Sequence, residues 1–232
     1  MNDFGFIETL EGLIGDGEYL PEVLFLMREP NSDDATYFWF KNDVVQRRYG
    51  NSAALSAALN EKPKGARYFN VLSALAKKLL HTDDEFVLQR CAYMNLYPYS
   101  GKAQKSQKYI ETLNAFRNVE NRVGSMNCGD MSTKKEAQTV AEHRAHVLQN
   151  AIHKGVKNIL TTPDIFDAII ETRNIKIDEC QEYILKYNWQ GEPRDHVFHI
   201  CYLGENHQTR LISFWHPSCT KINMSYLTDI NI

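Results

Sequence analysis

Four short apolar runs, each closed by a polar residue at a turn, constrain this chain more than any other feature. They are Val23-Leu24-Phe25-Leu26-Met27-Arg28-Glu29-Pro30-Asn31, Arg90-Cys91-Ala92-Tyr93-Met94-Asn95-Leu96-Tyr97-Pro98, Val156-Lys157-Asn158-Ile159-Leu160-Thr161-Thr162-Pro163 and Leu211-Ile212-Ser213-Phe214-Trp215-His216-Pro217-Ser218. Runs of this length, bounded by turn residues and separated by helical pattern, predict buried parallel strands of an α/β fold. Open α/β sheets collect ligands beyond the carboxyl ends of such strands, which predicts one pocket shared by Glu29, Asn95 and His216.

A chain of 232 residues that is 43% hydrophobic can bury a sizeable core as a single domain over 1–232. No apolar run approaches the roughly 18 residues that cross a bilayer, and the polar start Met1-Asn2-Asp3 is unlike a signal peptide. The expectation is a soluble, cytoplasmic protein with no membrane partner. The cysteines Cys91, Cys128, Cys180, Cys201 and Cys219 are odd in number and lack C-x-x-C spacing. That argues against a disulfide scaffold, a Cys-ligated metal or an iron–sulfur cluster. A formal net charge of −3 argues against non-specific coating of nucleic acid, while leaving room for a local basic rim.

Between the runs, residues 3–15 carry Phe6, Leu10 and Leu13 at helical spacing before a Gly-Asp-Gly turn. The first strand is expected over 22–27, with Pro30 ending it. Tyr68, Val71, Leu72, Leu75 and Leu79 predict an amphipathic helix over 66–80. The strongest helix signal is 134–154, with Thr133 and Glu136 spaced as a capping box and Gly155 as a stop. Residues 164–187 read as helix in two pieces, and Val197–Leu203 with Thr209–Trp215 read as a β-hairpin feeding the last strand.

In this order the motifs resemble the uracil-DNA glycosylase superfamily over roughly residues 20–222. The resemblance implies a three-layer α/β/α sandwich around a central four-stranded parallel sheet, to which the late β-hairpin is an addition. It also implies excision of a base flipped out of DNA. The residue before the first-motif proline, Glu29 here, corresponds to the one that positions the attacking water, and Asn95 to the asparagine that reads the pyrimidine edge. Phe38, Trp39 and Phe40 crowd the stretch where one aromatic stacks on the base. His216-Pro217-Ser218 corresponds to the His-Pro-Ser motif, whose histidine bonds the base carbonyl. Candidate contacts to the DNA backbone are Arg28, Ser218, Thr220, Lys221 and Lys102, with Arg47-Arg48, Lys105 and Lys108 as further basic positions.

The departures bear on substrate. Met27 replaces the first glycine of the family motif, and Asn31 stands where some members carry a tyrosine that blocks 5-substituted pyrimidines. Cys219-Thr220-Lys221-Ile222 replaces the usual Pro-Leu wedge, leaving Ile222 or Met224 as candidates. The chemistry itself needs a carboxylate beside a sugar that becomes cationic and a donor to the departing base, roles that suit Glu29 and His216. Asn95 offers a donor and an acceptor to a pyrimidine edge. Each residue also has an ordinary reading: a Glu-Pro turn, an asparagine capping the Tyr97-Pro98 turn, core aromatics, solvated lysines. His143 and His146 share a helix face but have no matched third ligand, so they read as solvated histidines and no metal or other cofactor is expected.

The expected protein is a monomeric, monofunctional DNA glycosylase, since no lysine sits in the motifs to form a Schiff base. Its expected substrate is a modified pyrimidine such as glucosylated hydroxymethylcytosine of phage DNA, in an antiviral role inside a bacterial or phage-related cell. Uracil repair and a catalytically silent nucleic-acid-binding module are the alternatives.

Overall fold

The computed structural model describes residues 21–28, 63–84, 87–97, 107–119, 133–171, 177–203 and 208–215. The expected helix over 3–15 lies outside them. The fold is mixed α/β. Six strands form one sheet: β1 (Val23–Met27), β2 (Cys91–Asn95), β3 (Asn158–Thr161), β4 (Ile177–Trp189), β5 (Glu192–Leu203) and β6 (Thr209–Ser213), in the order β2-β1-β3-β6-β5-β4. Neighbours from β2 to β6 run parallel, while β5 is antiparallel to both β6 and β4. Four α-helices accompany the sheet among the described residues: α1 (Pro63–Leu79), α2 (Gln107–Arg117), α3 (Thr133–His153) and α4 (Pro163–Glu171). None is long and apolar enough to cross a membrane.

The apolar runs become the four parallel strands, with β2 at an edge of the sheet and β1, β3 and β6 inside it. Every residue of β1 and β3 is buried, as expected of strands flanked on both sides. In α1, Val71, Leu72, Leu75, Ala76 and Leu79 form the buried stripe at helical spacing. In α3 the stripe is Ala137, Val140, Ala141, Arg144, Val147, Leu148 and Ala151. Both helices stop in the same way. After α3, the Val156 amide donates to the Ala151 carbonyl and the Gly155 amide to Ile152, with Gly155 at φ +84°. After α1, Thr82 donates to Lys77 and His81 to Lys78, with His81 at φ 49° in the position usually given to glycine.

The amino ends of the parallel strands are tied by charge. Glu22 accepts from Arg90 Nε at 2.6 Å and from Lys157 Nζ at 2.9 Å, and its carboxyl is held below the usual carboxylate range, chiefly by the Arg90 hydrogen bond. Arg210 donates Nε to Asn158 Oδ1 at 2.8 Å and Nη2 to the Leu79 carbonyl at 3.2 Å.

Two expectations change here. The second helical piece of 164–187 is instead β4, a long strand paired with β5. Its residues alternate: Gln181, Tyr183, Leu185 and Tyr187 are partly or fully buried, whereas Glu182, Ile184 and Lys186 are exposed. Gln190 and Gly191, at φ 53° and 85°, make the two-residue turn that sends the chain back as β5. The cysteines give the second correction. Cys180 and Cys201 are directly opposed in this ladder and form a disulfide, which an odd count without C-x-x-C spacing did not foretell. Helix α2 was not anticipated either.

Candidate functional site

Register brings the carboxyl ends of the parallel strands into line. Met27 is beside Asn95, Leu26 beside Thr161, and Thr161 beside Ser213. With neighbouring strands about 4.8 Å apart, the ends of β1 and β6 lie roughly 10 Å from each other, separated by β3. The line continues past β2, where Leu96 donates to the Met27 carbonyl and Tyr97 to the Arg28 carbonyl.

Arg28 leaves the end of β1 and meets the start of α4. Its Nε lies 3.0 Å from Asp164 Oδ1 and 2.9 Å from Oδ2. Thr162 caps that helix start, its carbonyl accepting the Ile165 and Phe166 amides, while its hydroxyl donates to Asp164 Oδ1 at 2.7 Å. Tyr109 of α2 donates its hydroxyl to Oδ2 at 3.0 Å. Burial opposes the charge on Asp164, but Arg28 and the hydroxyl donors outweigh it and hold the carboxyl below its ordinary value. The Tyr109 phenol is pushed far up, first by burial and then by the neighbouring carboxylate, so it acts only as a neutral donor.

Asn95, at the end of β2, is 3% exposed. Its backbone carbonyl accepts Arg144 Nε at 2.8 Å, from a guanidinium wholly inside the protein. Nη1 of Arg144 lies 3.3 Å from His143 Nδ1. A guanidinium only donates, so Nδ1 is the acceptor and the imidazole is neutral. Burial first, then the positive charge of Arg144, lowers the His143 pKa to about 3. The solvated reading of His143 is therefore corrected: the ring is buried, because α3 turns that side towards the strand end. His146 pairs Nε2 with Asn150 Nδ2 at 3.0 Å. No group of three His, Cys, Asp or Glu side chains arranged to hold a metal occurs among the described residues.

The fourth strand end carries an aromatic cluster. Trp215 stacks on His196 at 3.9 Å between ring centroids and meets Tyr187 edge-on at 5.0 Å. Phe214 is buried against Phe198 and His196. Burial lowers the His196 pKa to about 4, and its Nε2 is enclosed without a hydrogen-bond partner. These rings reach β6 because β4 and β5 overshoot it. Ile200 of β5 pairs with Ile212, so Glu192–Phe198 continue beyond Ser213 for roughly 20 Å on the carboxyl side of the parallel strands.

Of the residues singled out in the sequence, Arg28 and Asn95 occupy adjacent strand ends. Glu29, Asn31, Phe38, Trp39, Phe40, Lys102, His216, Ser218, Thr220 and Lys221 lie outside the described residues, as do Arg47, Arg48, Lys105, Ile222 and Met224. Lys108 is exposed on α2. Sequence reading missed Asp164, Tyr109, Arg144 and the His196–Trp215 stack. Only Asp164 had a local signal, following a Thr-Pro helix start directly after a strand. In comparisons with known proteins, no family model, no curated protein and no solved structure matches this chain.

Proposed function

We propose that the protein is a monofunctional DNA glycosylase that excises a flipped, 5-substituted pyrimidine and leaves an abasic site. The observation that carries this reading is the alignment of the carboxyl ends of β2, β1, β3 and β6. Asn95 is the last residue of one, Glu29 comes two residues after Met27 of another, and His216 comes three residues after Ser213 of a third. A spacing of roughly 10 Å between the ends of β1 and β6 suits a nucleoside held between a carboxylate and an imidazole. In the proposed reaction water attacks the anomeric carbon and the glycosidic electron pair leaves with the base. Glu29 orients the water and offsets the cationic sugar, His216 donates to the base carbonyl, and Asn95 reads its edge.

We further propose the three-layer α/β/α arrangement. Arg210 reaches the α1 carbonyl of Leu79 on the side of Asn158, while Phe166 of α4 stacks on His199 at 5.7 Å, one position along β5 from the opposite-facing Phe198 and Ile200. The overhanging β4–β5 hairpin supports a substrate wall, and Asn31 supports room at C5 of the base.

The test uses the full chain with matched oligonucleotides carrying uracil, 5-hydroxymethylcytosine or its glucosylated form, scored for alkali-labile abasic sites. The reading expects excision of a 5-substituted base, lost in Glu29→Gln and His216→Ala with DNA binding kept. Excision of uracil alone favours repair. Binding without excision of any of these bases leaves the silent module.

A further inference from the structure

Strand β4 closes one edge of the sheet, and among the described residues it pairs only with β5. Its two-residue turn makes Trp189 and Glu192 the closing hydrogen-bonded pair, after which open and bonded pairs alternate. Glu182, Ile184 and Lys186 therefore occupy open pairs, opposite His199, Val197 and Asp195. Cys180 and Cys201, in the same phase, are 4.1 Å apart at Cα, the close spacing of an open pair. It follows that the amides and carbonyls of Glu182, Ile184 and Lys186 point away from β5, along the outer edge.

The side chains of these three residues share one exposed face. Ile184 is 56% exposed, and Val197 across from it is 41% exposed. Glu182 and Lys186 stand two residues to either side of Ile184 and carry opposite charge. An antiparallel copy of the same strand, centred on Ile184, would meet this pattern with its complement.

We propose that β4 pairs with β4 of a second copy about a two-fold axis at Ile184, joining two six-stranded sheets into one of twelve strands. In that register Glu182 faces the partner's Lys186, and Lys186 faces the partner's Glu182. Val197, Ile184, the partner's Ile184 and the partner's Val197 form one continuous apolar row. On either side runs a row of His199, Glu182, the partner's Lys186 and the partner's Asp195. Axes centred on Glu182 or on Lys186 place like charges opposite each other, and axes centred on Tyr183 or Leu185 set Ile184 against a charged side chain, so the pattern favours the Ile184 register. An exposed strand this long, with an apolar centre, is normally blunted or paired. The inference replaces the monomer expected from sequence and does not rest on glycosylase activity.

Sedimentation velocity on the full chain across a dilution series tests it, with circular dichroism confirming that each variant is folded. The wild type is expected to dimerise. Glu182→Lys and Lys186→Glu each put like charges opposite at two symmetric places and should weaken the dimer by roughly tenfold or more. The double variant Glu182→Lys/Lys186→Glu restores opposite charges and should recover wild-type dimerisation. A wild type that stays monomeric, single reversals that dimerise normally, or a double variant no better than the singles would each overturn the proposal.

Discussion

Arg28 and Asp164, separated by 136 positions in the chain, meet at 2.9 Å where the end of β1 reaches the start of α4. Neither charge is fully exposed, at 25% and 14%, and Tyr109 and Thr162 complete the carboxylate's hydrogen bonding. Asp164→Asn keeps the shape and removes the charge. Breaking a fully buried pair costs about 3–5 kcal/mol, so with this residual exposure the expected loss is about 2 kcal/mol, read as a lower urea midpoint. The Asp164 pKa is depressed on folding, so the wild-type contribution is present above its ordinary value of 3.8 and is lost as pH falls through the folded value.

His143 supplies a pH dependence of its own. Its folded pKa of about 3 is below the ordinary 6.5, so below pH 6.5 the unfolded chain binds a proton that the folded protein refuses. Stability should fall by about 1.4 kcal/mol per pH unit from this residue as pH drops from 6.5 towards 3. His196 adds a similar slope down to about 4. His143→Gln keeps an acceptor for Arg144 but does not titrate, so urea midpoints at pH 7, 5.5 and 4.5 should fall less steeply than in the wild type.

The two helix ends offer a paired comparison. His81→Gly should stabilise the protein by up to about 1 kcal/mol, because a left-handed conformation strains any residue with a Cβ. Gly155→Ala should destabilise it by a similar amount. The added Cβ would meet Gln208 Oε1 at 3.6 Å, an ordinary contact, so the cost is conformational. Melting temperatures shifting in opposite directions would bear this out.

If the protein is the proposed glycosylase, its choice of substrate should turn on Asn31. In that reading a tyrosine after Pro30 would press on a C5 substituent and leave an unsubstituted base untouched, so Asn31→Tyr should lower excision of a bulky 5-substituted pyrimidine far more than excision of uracil. Single-turnover rates on both bases in one sequence context decide it. Equal losses on the two substrates would remove Asn31 from the pocket wall.

Local pattern alone determined the elements whose signal is contained in a few turns or one short run: β1, β3, the helices α1 and α3, the Gly155 stop and the β5–β6 hairpin. In α1 and α3 burial follows a period of 3.6, β1 and β3 are buried throughout, and the hairpin and the Gly155 stop carry turn residues between such segments, all visible without knowing any distant partner. Tertiary structure decided the rest. Residues 177–189 hold Glu, Gln, Leu and Lys that suit a helix, and their period of two takes effect only against β5, which also brings Cys180 to Cys201. Arg144 looks like a solvated helix residue until the fold sets the Asn95 carbonyl before it, since a buried guanidinium is tolerable only where distant groups accept its protons. The Arg28–Asp164 pair is of the same kind: it joins residues far apart in the chain, and sheet order, which no local window contains, brings them together.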